Sequence, residues 1–377
     1  MKKIPLGMFS FFTGAGFLDL GFEKGGFVSF SANEIDPNFA RVYRHSRERM
    51  GLPLPVFGLQ EESIADFLER EDRGEWLMER VAEAKRQCAL VGFVGGPPCP
   101  DFSVAGKQAG AEGKHGHLSQ IYMDAICRFA PDFFVFENVK GLLKTAKHRA
   151  FFDAIVQQAR EAGYATDWRL LNSLCYGVAQ DRERVILFGV RKDRLPPDAV
   201  APNGMLAGVP WKSHMQRPPN AWKDLPWPTR TGFRENGSLP KPRGLPVELT
   251  VEHWFRKNQV ESHPNAADFF TPRAGLEKMR RFDEGDDSKK CYKRLHRWRY
   301  SPTAAYGNNE VHLHPYKARR LSVAETLAIQ SLPKEFELPP DISLSAKFKT
   351  IGNGVPFLLA KGVAETLRDY LERSAVK

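Results

Sequence analysis

Short apolar runs bounded by glycine, proline or charge recur through the first 190 residues: GMFSFF, VSFSANEI, CALVGFVGG, DFFVFENV, ATDWRLLNS and RVILFGV. Between them, ESIADFLEREDRGEWLMERVAEAKRQ and LSQIYMDAICRFA space their apolar residues as helices do. Strand, helix and strand in this rhythm predict an α/β fold, a doubly wound and mainly parallel sheet covered by helices on both faces.

The texture changes near residue 192. Residues 192–334 hold 16 of the 27 prolines, which break long helices and interior strands. The same segment carries 25 Lys+Arg against 15 Asp+Glu, so the whole net charge of +10 sits there. A basic excess confined to one segment points to a polyanionic partner. Helical patterns return in ARRLSVAETLAIQSLP and in GNGVPFLLAKGVAETLRDYLERS. The predicted organisation is a first domain over 1–191, a smaller loop-rich module over 192–334, and a segment over 335–377 that returns to the first domain. The five cysteines form no C-x-x-C pair and no ligand-like spacing with histidine, which argues against zinc or a disulfide framework and fits a reduced, cytoplasmic setting. No stretch approaches the roughly 18 apolar residues of a membrane span, so no membrane partner is expected.

In FSFFTGAGFLDLGF an apolar strand runs into glycines and then a helix, an arrangement that lets backbone N–H groups approach a ligand at the strand's carboxyl end. A glycine-rich turn in any α/β protein looks similar. Roughly twenty residues on, VSFSANEID ends an apolar run with Glu34, where a carboxylate can accept both hydroxyls of a ribose. A solvated strand-end acid is the plain alternative, but the pair together favours a nucleoside cofactor. A lone cysteine is usually buried and inert. In ALVGFVGGPPCPDFSVAGK, however, Gly95, Gly96, Pro97, Pro98 and Pro100 put Cys99 on a stiff, shaped loop that aims the thiol. DFFVFENVKGLL ends its strand with Glu137, Asn138 and Val139, and a carboxylate there points into the ligand crevice. YGVAQDRERVILFGV places Gln180, Arg182 and Arg184 on alternate positions, facing one side of an extended chain. Arginines so aligned bind phosphate or a base carbonyl, or simply form a charged strand edge.

Taken in order from residue 8 to residue 356, these segments resemble the DNA cytosine-5 methyltransferases of bacterial restriction-modification systems. Phe12, Gly14 and Gly16 resemble the family's cofactor loop, Glu34 its ribose-binding acid, and Pro98-Cys99 its nucleophile loop. Glu137-Asn138-Val139 is similar to its Glu-Asn-Val signature, and Gln180, Arg182 and Arg184 to its Gln-x-Arg-x-Arg. RRLSVAETLAIQSLP resembles the helix that supports the recognition domain, and Gly352-Asn353-Gly354-Val355-Pro356 the late cofactor motif. The resemblance implies a Rossmann-like catalytic domain over 1–191, a target-recognition domain over 192–334, and S-adenosylmethionine as cofactor. Its site would be formed by Phe12, Gly14, Ala15, Gly16, Glu34 and Ile35, with Ile64, Pro98, Asn353 and Gly354. It implies double-stranded DNA as partner, a monomer, a cognate endonuclease that need not bind it, and no metal. Two departures stand out: Pro100 replaces the usual Gln after Pro-Cys, and Glu62-Ser63-Ile64 stands where many members have Gly-Asp-Ile. No Asp-Pro-Pro-Tyr motif for amino-group methylation is present.

Carbon 5 of cytosine is a poor nucleophile, and a thiolate adding to carbon 6 pushes electrons toward it. Cys99 is the candidate nucleophile. Charge then builds at N3 and O2, and a protonated Glu137 would stabilise it. By resemblance Arg184 would bind O2, and Arg182 would hold the nucleophile loop or a phosphate. Gln180 and the run KKCYKRLHRWRYSP, with Lys289, Lys290, Lys293, Arg294, Arg297 and Arg299, are candidate DNA contacts. The histidines of EVHLHP fit strand-spaced polar residues better than ligands. An RNA cytosine-5 methyltransferase, an inert DNA-binding relative and a nicotinamide dehydrogenase are the rival readings. The large basic segment favours duplex DNA, the intact candidate residues argue against inertness, and a dehydrogenase leaves the Pro-Cys loop unexplained.

Overall fold

Six apolar runs become strands of one seven-stranded sheet, and in four of them nearly every residue is buried. The computed structural model describes residues 5–98, 116–272, 275–289, 292–303, 306 and 312–374. The first half runs β1 (Leu6–Phe11), α1 (Phe17–Lys24), β2 (Phe27–Asn33), α2 (Pro37–Arg49), β3 (Leu59–Gln60), α3 (Asp66–Glu69), α4 (Glu71–Gln87) and β4 (Leu90–Gly95). There follow α5 (Gly116–Phe129), β5 (Phe133–Val139), α6 (Ala146–Glu161), β6 (Tyr164–Asn172), β7 (Gln180–Asp181) and β8 (Glu183–Arg191). The remainder is sparser: α7 (Val251–Lys257), α8 (Leu276–Arg280), β9 (Lys293–Arg294), β10 (Ser301–Pro302), β11 (His312–Leu313), α9 (Val323–Ile329), α10 (Leu344–Asn353) and α11 (Phe357–Ser374).

Strand order is β3-β2-β1-β4-β5-β8-β6. Pairing is parallel from β3 to β5, and β8 runs antiparallel to both β5 and β6. One face is covered by α4, α5 and α6, through residues such as Leu77, Ile126 and Ile155. The other is covered by α1 and α11, through Leu18, Phe22, Leu359 and Leu367. The two helices approach so closely that a Cβ on Gly21 would lie 2.4 Å from Ala360 Cβ, and one on Gly25 2.5 Å from Ala364 Cβ.

Two expectations change. The single helical pattern over 62–87 is two helices, because Arg70 is extended at φ −104°, ψ 125° and ends α3 before α4 begins. One extended residue scarcely disturbs the apolar spacing, so periodicity reads straight through it. The packing also does not break at 192: Leu195, Ala199, Leu206, Trp211 and Trp222 are buried in the same core as Ile186 and Phe188 of β8. The second module is tied back by β7, which pairs in parallel with β10, and by α9, whose Val323 and Leu327 pack with Ala15 and Phe17 beside the first glycine loop. Among the described residues no helix is long and apolar enough to cross a membrane.

Candidate active site

At the carboxyl end of β1 the chain turns through Phe12, Gly14 and Gly16 with φ of 54°, 57° and 80°. Such values suit glycine and are costly for Phe12. A Cβ on Gly16 would lie 2.7 Å from the Tyr43 ring, whereas one on Gly14 would meet nothing within 4 Å, so the loop's backbone is open there. The Gly14 N–H donates to Glu34 Oε2 at 2.8 Å and the Asp36 N–H to Oε1 at 2.8 Å. Burial raises the Glu34 carboxyl above its ordinary value, and these backbone bonds oppose the shift. Next to it Ile35 is 64% exposed, a large apolar side chain left in water. Asn353, at the end of α10, is exposed and Gly354 half-buried. Ala15 is buried in the α9 core, and Pro98 is half-buried. Ile64 is different: at 2% exposure it sits in the apolar cluster with Phe11 and Phe67. It packs in that cluster and has almost no exposed surface.

Glu137 lies near the end of β5 beside β8, which carries Arg184: Glu137 pairs with Ile186 and Val139 with Arg184. Arg184 Nε lies 2.7 Å from Glu137 Oε1, with both side chains buried. Burial raises the Glu137 carboxyl, and Arg184 and Arg182 only partly offset this. A Cβ on Gly96 would lie 2.7 Å from Glu137 Oε2. Only glycine lets that carboxyl lie directly under the loop leaving β4. Asn138 Nδ2 donates to the Pro97 carbonyl at 3.4 Å, a tether that the sequence did not reveal because an amide's partner is not encoded in its type. Arg182 Nη2 donates to the carbonyls of Gly352 at 2.6 Å and Gly354 at 3.1 Å, so the link between β7 and β8 also steadies the Gly-Asn-Gly turn. Cys99 and Pro100 lie outside the described residues.

The sequence model of the C-5 cytosine-specific DNA methylases matches residues 6–369. The chain belongs to that family. The methylase is 55% identical over 366 residues to Type II methyltransferase M.NmeDI of Neisseria meningitidis serogroup C, covering 97% of this chain and 84% of that one. It is 29% identical over 370 residues to Type II methyltransferase M.FnuDI of Fusobacterium nucleatum, covering 96% and 95%. In fold it matches Dnmt2 of S. pombe, with TM-score 0.59 at 11% identity over 98% of both chains. It also matches a putative DNA modification methyltransferase from an E. coli prophage, with TM-score 0.57 at 19% identity over 98% and 100%.

DNA is the substrate of the methylase and S-adenosylmethionine its methyl donor. The residues present fit that donor: an open glycine backbone, a carboxylate able to accept ribose hydroxyls, and the exposed apolar face of Ile35 for a purine ring.

The basic run of the methylase lies differently from expectation. Arg294 is 1% exposed, donating to the carbonyls of Phe282, His314, Lys317 and Met279. Arg297 is buried against Glu284 at 2.8 Å and donates to the Gly237 carbonyl. Both pin loops together and are corrected from phosphate contacts to structural residues. Gln180 has no exposed surface, and its amide donates to Tyr306 Oη at 3.4 Å, so it stitches the modules together and offers no edge to DNA. Lys293 and Arg299 are half-buried, Lys289 is exposed, and Lys290 lies outside the described residues. His312 and His314 alternate along the β11 edge, and His314 Nε2 lies 3.3 Å from Glu325. Exposed cations also lie outside that run: Lys241, Arg243 and Lys257 are among them, and the charges of Lys257 and Lys241 both bear on His253.

Proposed function

We propose that Cys99 is the nucleophile of the methylase, its thiolate adding to carbon 6 of a cytosine turned out of a specific duplex sequence. The new sulfur–carbon bond makes carbon 5 electron-rich, and carbon 5 takes the methyl group. Loss of the carbon 5 proton then expels the sulfur, restoring the thiolate and the aromatic ring. S-adenosylmethionine supplies the methyl. Burial raises the Glu137 carboxyl, and in its protonated form it donates a hydrogen bond to N3, where negative charge builds. Arg184, held against Glu137, binds O2. Turning the base out costs on the order of a few kcal/mol, offset by phosphate contacts from exposed cations of the basic module.

The observation that carries this reading is the buried Glu137–Arg184 pair lying directly beneath Gly96, three residues before Cys99. The test is incubation with S-adenosylmethionine and duplex DNA containing 5-fluorocytosine, whose fluorine blocks the elimination step. A complex that survives denaturation is expected with the wild-type chain and none with Cys99→Ala. An adduct formed by Cys99→Ala removes Cys99 from its role, and an adduct on tRNA but not on duplex DNA moves the reaction to RNA.

A further inference from the structure

The helix α1 carries an acid in its apolar interior. Asp19 is 0% exposed within FLDLGF, a place where an apolar side chain would cost less than a carboxylate. Its oxygens are fully engaged: Ser10 Oγ donates to Oδ1 at 2.6 Å, Thr13 Oγ1 donates to Oδ2, and the Tyr43 hydroxyl adds a third bond. Behind Tyr43, Arg47 Nη1 bonds Glu23 at 2.9 Å and approaches the Tyr43 hydroxyl at 3.4 Å.

These bonds converge on the loop between β1 and α1. Thr13 sits between Phe12 and Gly14, both in the left-handed region, where a non-glycine residue such as Phe12 relaxes unless something holds it. The turn is also tied by backbone bonds, from the Thr13 N–H to the Asn33 carbonyl at 3.0 Å and from the Gly16 N–H to the Thr13 carbonyl at 2.8 Å, and by the Gly14 N–H bond to Glu34 Oε2 at 2.8 Å. Tyr43 presses on the far end of the same loop, at Gly16. One buried carboxylate therefore reaches both ends of the turn, directly at Thr13 and through Tyr43 at Gly16.

We propose that Asp19 is a positioning residue for the S-adenosylmethionine site, holding residues 12–16 through Thr13 so that the Gly14 backbone stays beside the Glu34 carboxylate. The inference rests on the reading of this loop as the cofactor loop. It is tested on the full chain by calorimetric titration with S-adenosylhomocysteine, together with steady-state kinetics and thermal melting. Because a hydrogen bond to a fully buried carboxyl is at stake, Thr13→Val and Asp19→Asn should each weaken binding by about tenfold or more. The double variant should be no weaker than the weaker single one, since both act on the same bond. Thr13→Ser, which keeps the hydroxyl, should bind within about twofold of wild type, and kcat at saturating cofactor and KM for DNA should change by no more than about twofold throughout.

Wild-type affinity in a folded Thr13→Val overturns the proposal, as do additive losses in the double variant or a fall in kcat at unchanged KM for the cofactor. Should Asp19→Asn fail to fold, Thr13→Val and Thr13→Ser still decide the matter. Glu34→Ala separates the two readings. Lost binding there with full binding in Thr13→Val overturns the role of Asp19 alone, while full binding in both overturns the loop's assignment as well.

Discussion

At the scale of single residues, the chemistry depends on where a proton rests. Burial lifts the Glu137 carboxyl, and the guanidinium of Arg184 at 2.7 Å only partly reverses this. The protonated form is present below the raised value and is lost as pH rises through it. The kcat of the methylase should therefore fall on the alkaline side through a limb belonging to Glu137. Glu137→Gln should lower kcat by about a hundredfold, the scale of a general acid, and remove that limb. An alkaline limb that survives in Glu137→Gln assigns it to another group. Residue types at this scale were informative only in part. Glu137 was legible because it ends an apolar run, but Arg294 and Arg297 look like phosphate ligands when read as residue types and are pins in the folded chain. Their partners, backbone carbonyls and Glu284, are set by loop geometry that no local pattern encodes.

At the scale of elements, α9 is held at its first turn by a capping box. Ser322 Oγ accepts from the Glu325 N–H at 3.2 Å, while Glu325 accepts from the Ser322 N–H at 2.8 Å. The same carboxylate takes two bonds from Arg319, at 2.9 and 2.6 Å. Glu325→Gln leaves Arg319 without its counter-charge in a nearly dry site, so it should cost about 3 kcal/mol in chemical denaturation. Ser322→Ala should cost about 1 kcal/mol, the usual loss of an N-cap. Equal losses would show that the cap, not the ion pair, matters. The apolar runs that became β1, β2, β4, β5, β6 and β8 were all readable, since a strand covered on both faces has no other composition open to it. The antiparallel direction of β8 was not readable, because an apolar run carries no arrow. Nor was the break at Arg70, which spans a single residue.

Across the whole molecule, charge and packing divide the chain at different places. The basic excess begins near 192, yet Trp211 and Trp222 belong to the core of the sheet. The tryptophans in that proline-rich stretch were the signal for continued packing, and the composition hid it. DNA affinity should rest on exposed cations: Lys241→Ala with Arg243→Ala should reduce the slope of log affinity against log salt by about 0.9 for each phosphate that is no longer neutralised. Arg297→Ala should instead lower the melting temperature, for it leaves the buried Glu284 without its guanidinium partner. An unchanged salt slope in the double variant would place the phosphate-binding cations elsewhere on the module.

The close packing of α1 on α11 also sets an order of events in time. A ribosome makes residues 17–24 long before residues 357–374, so the nascent α1 emerges with its apolar side, at Leu18 and Phe22, uncovered. Until α11 arrives, nothing braces the turn that precedes α1 from that side. A chain still being translated therefore lacks the helix that covers this side of α1.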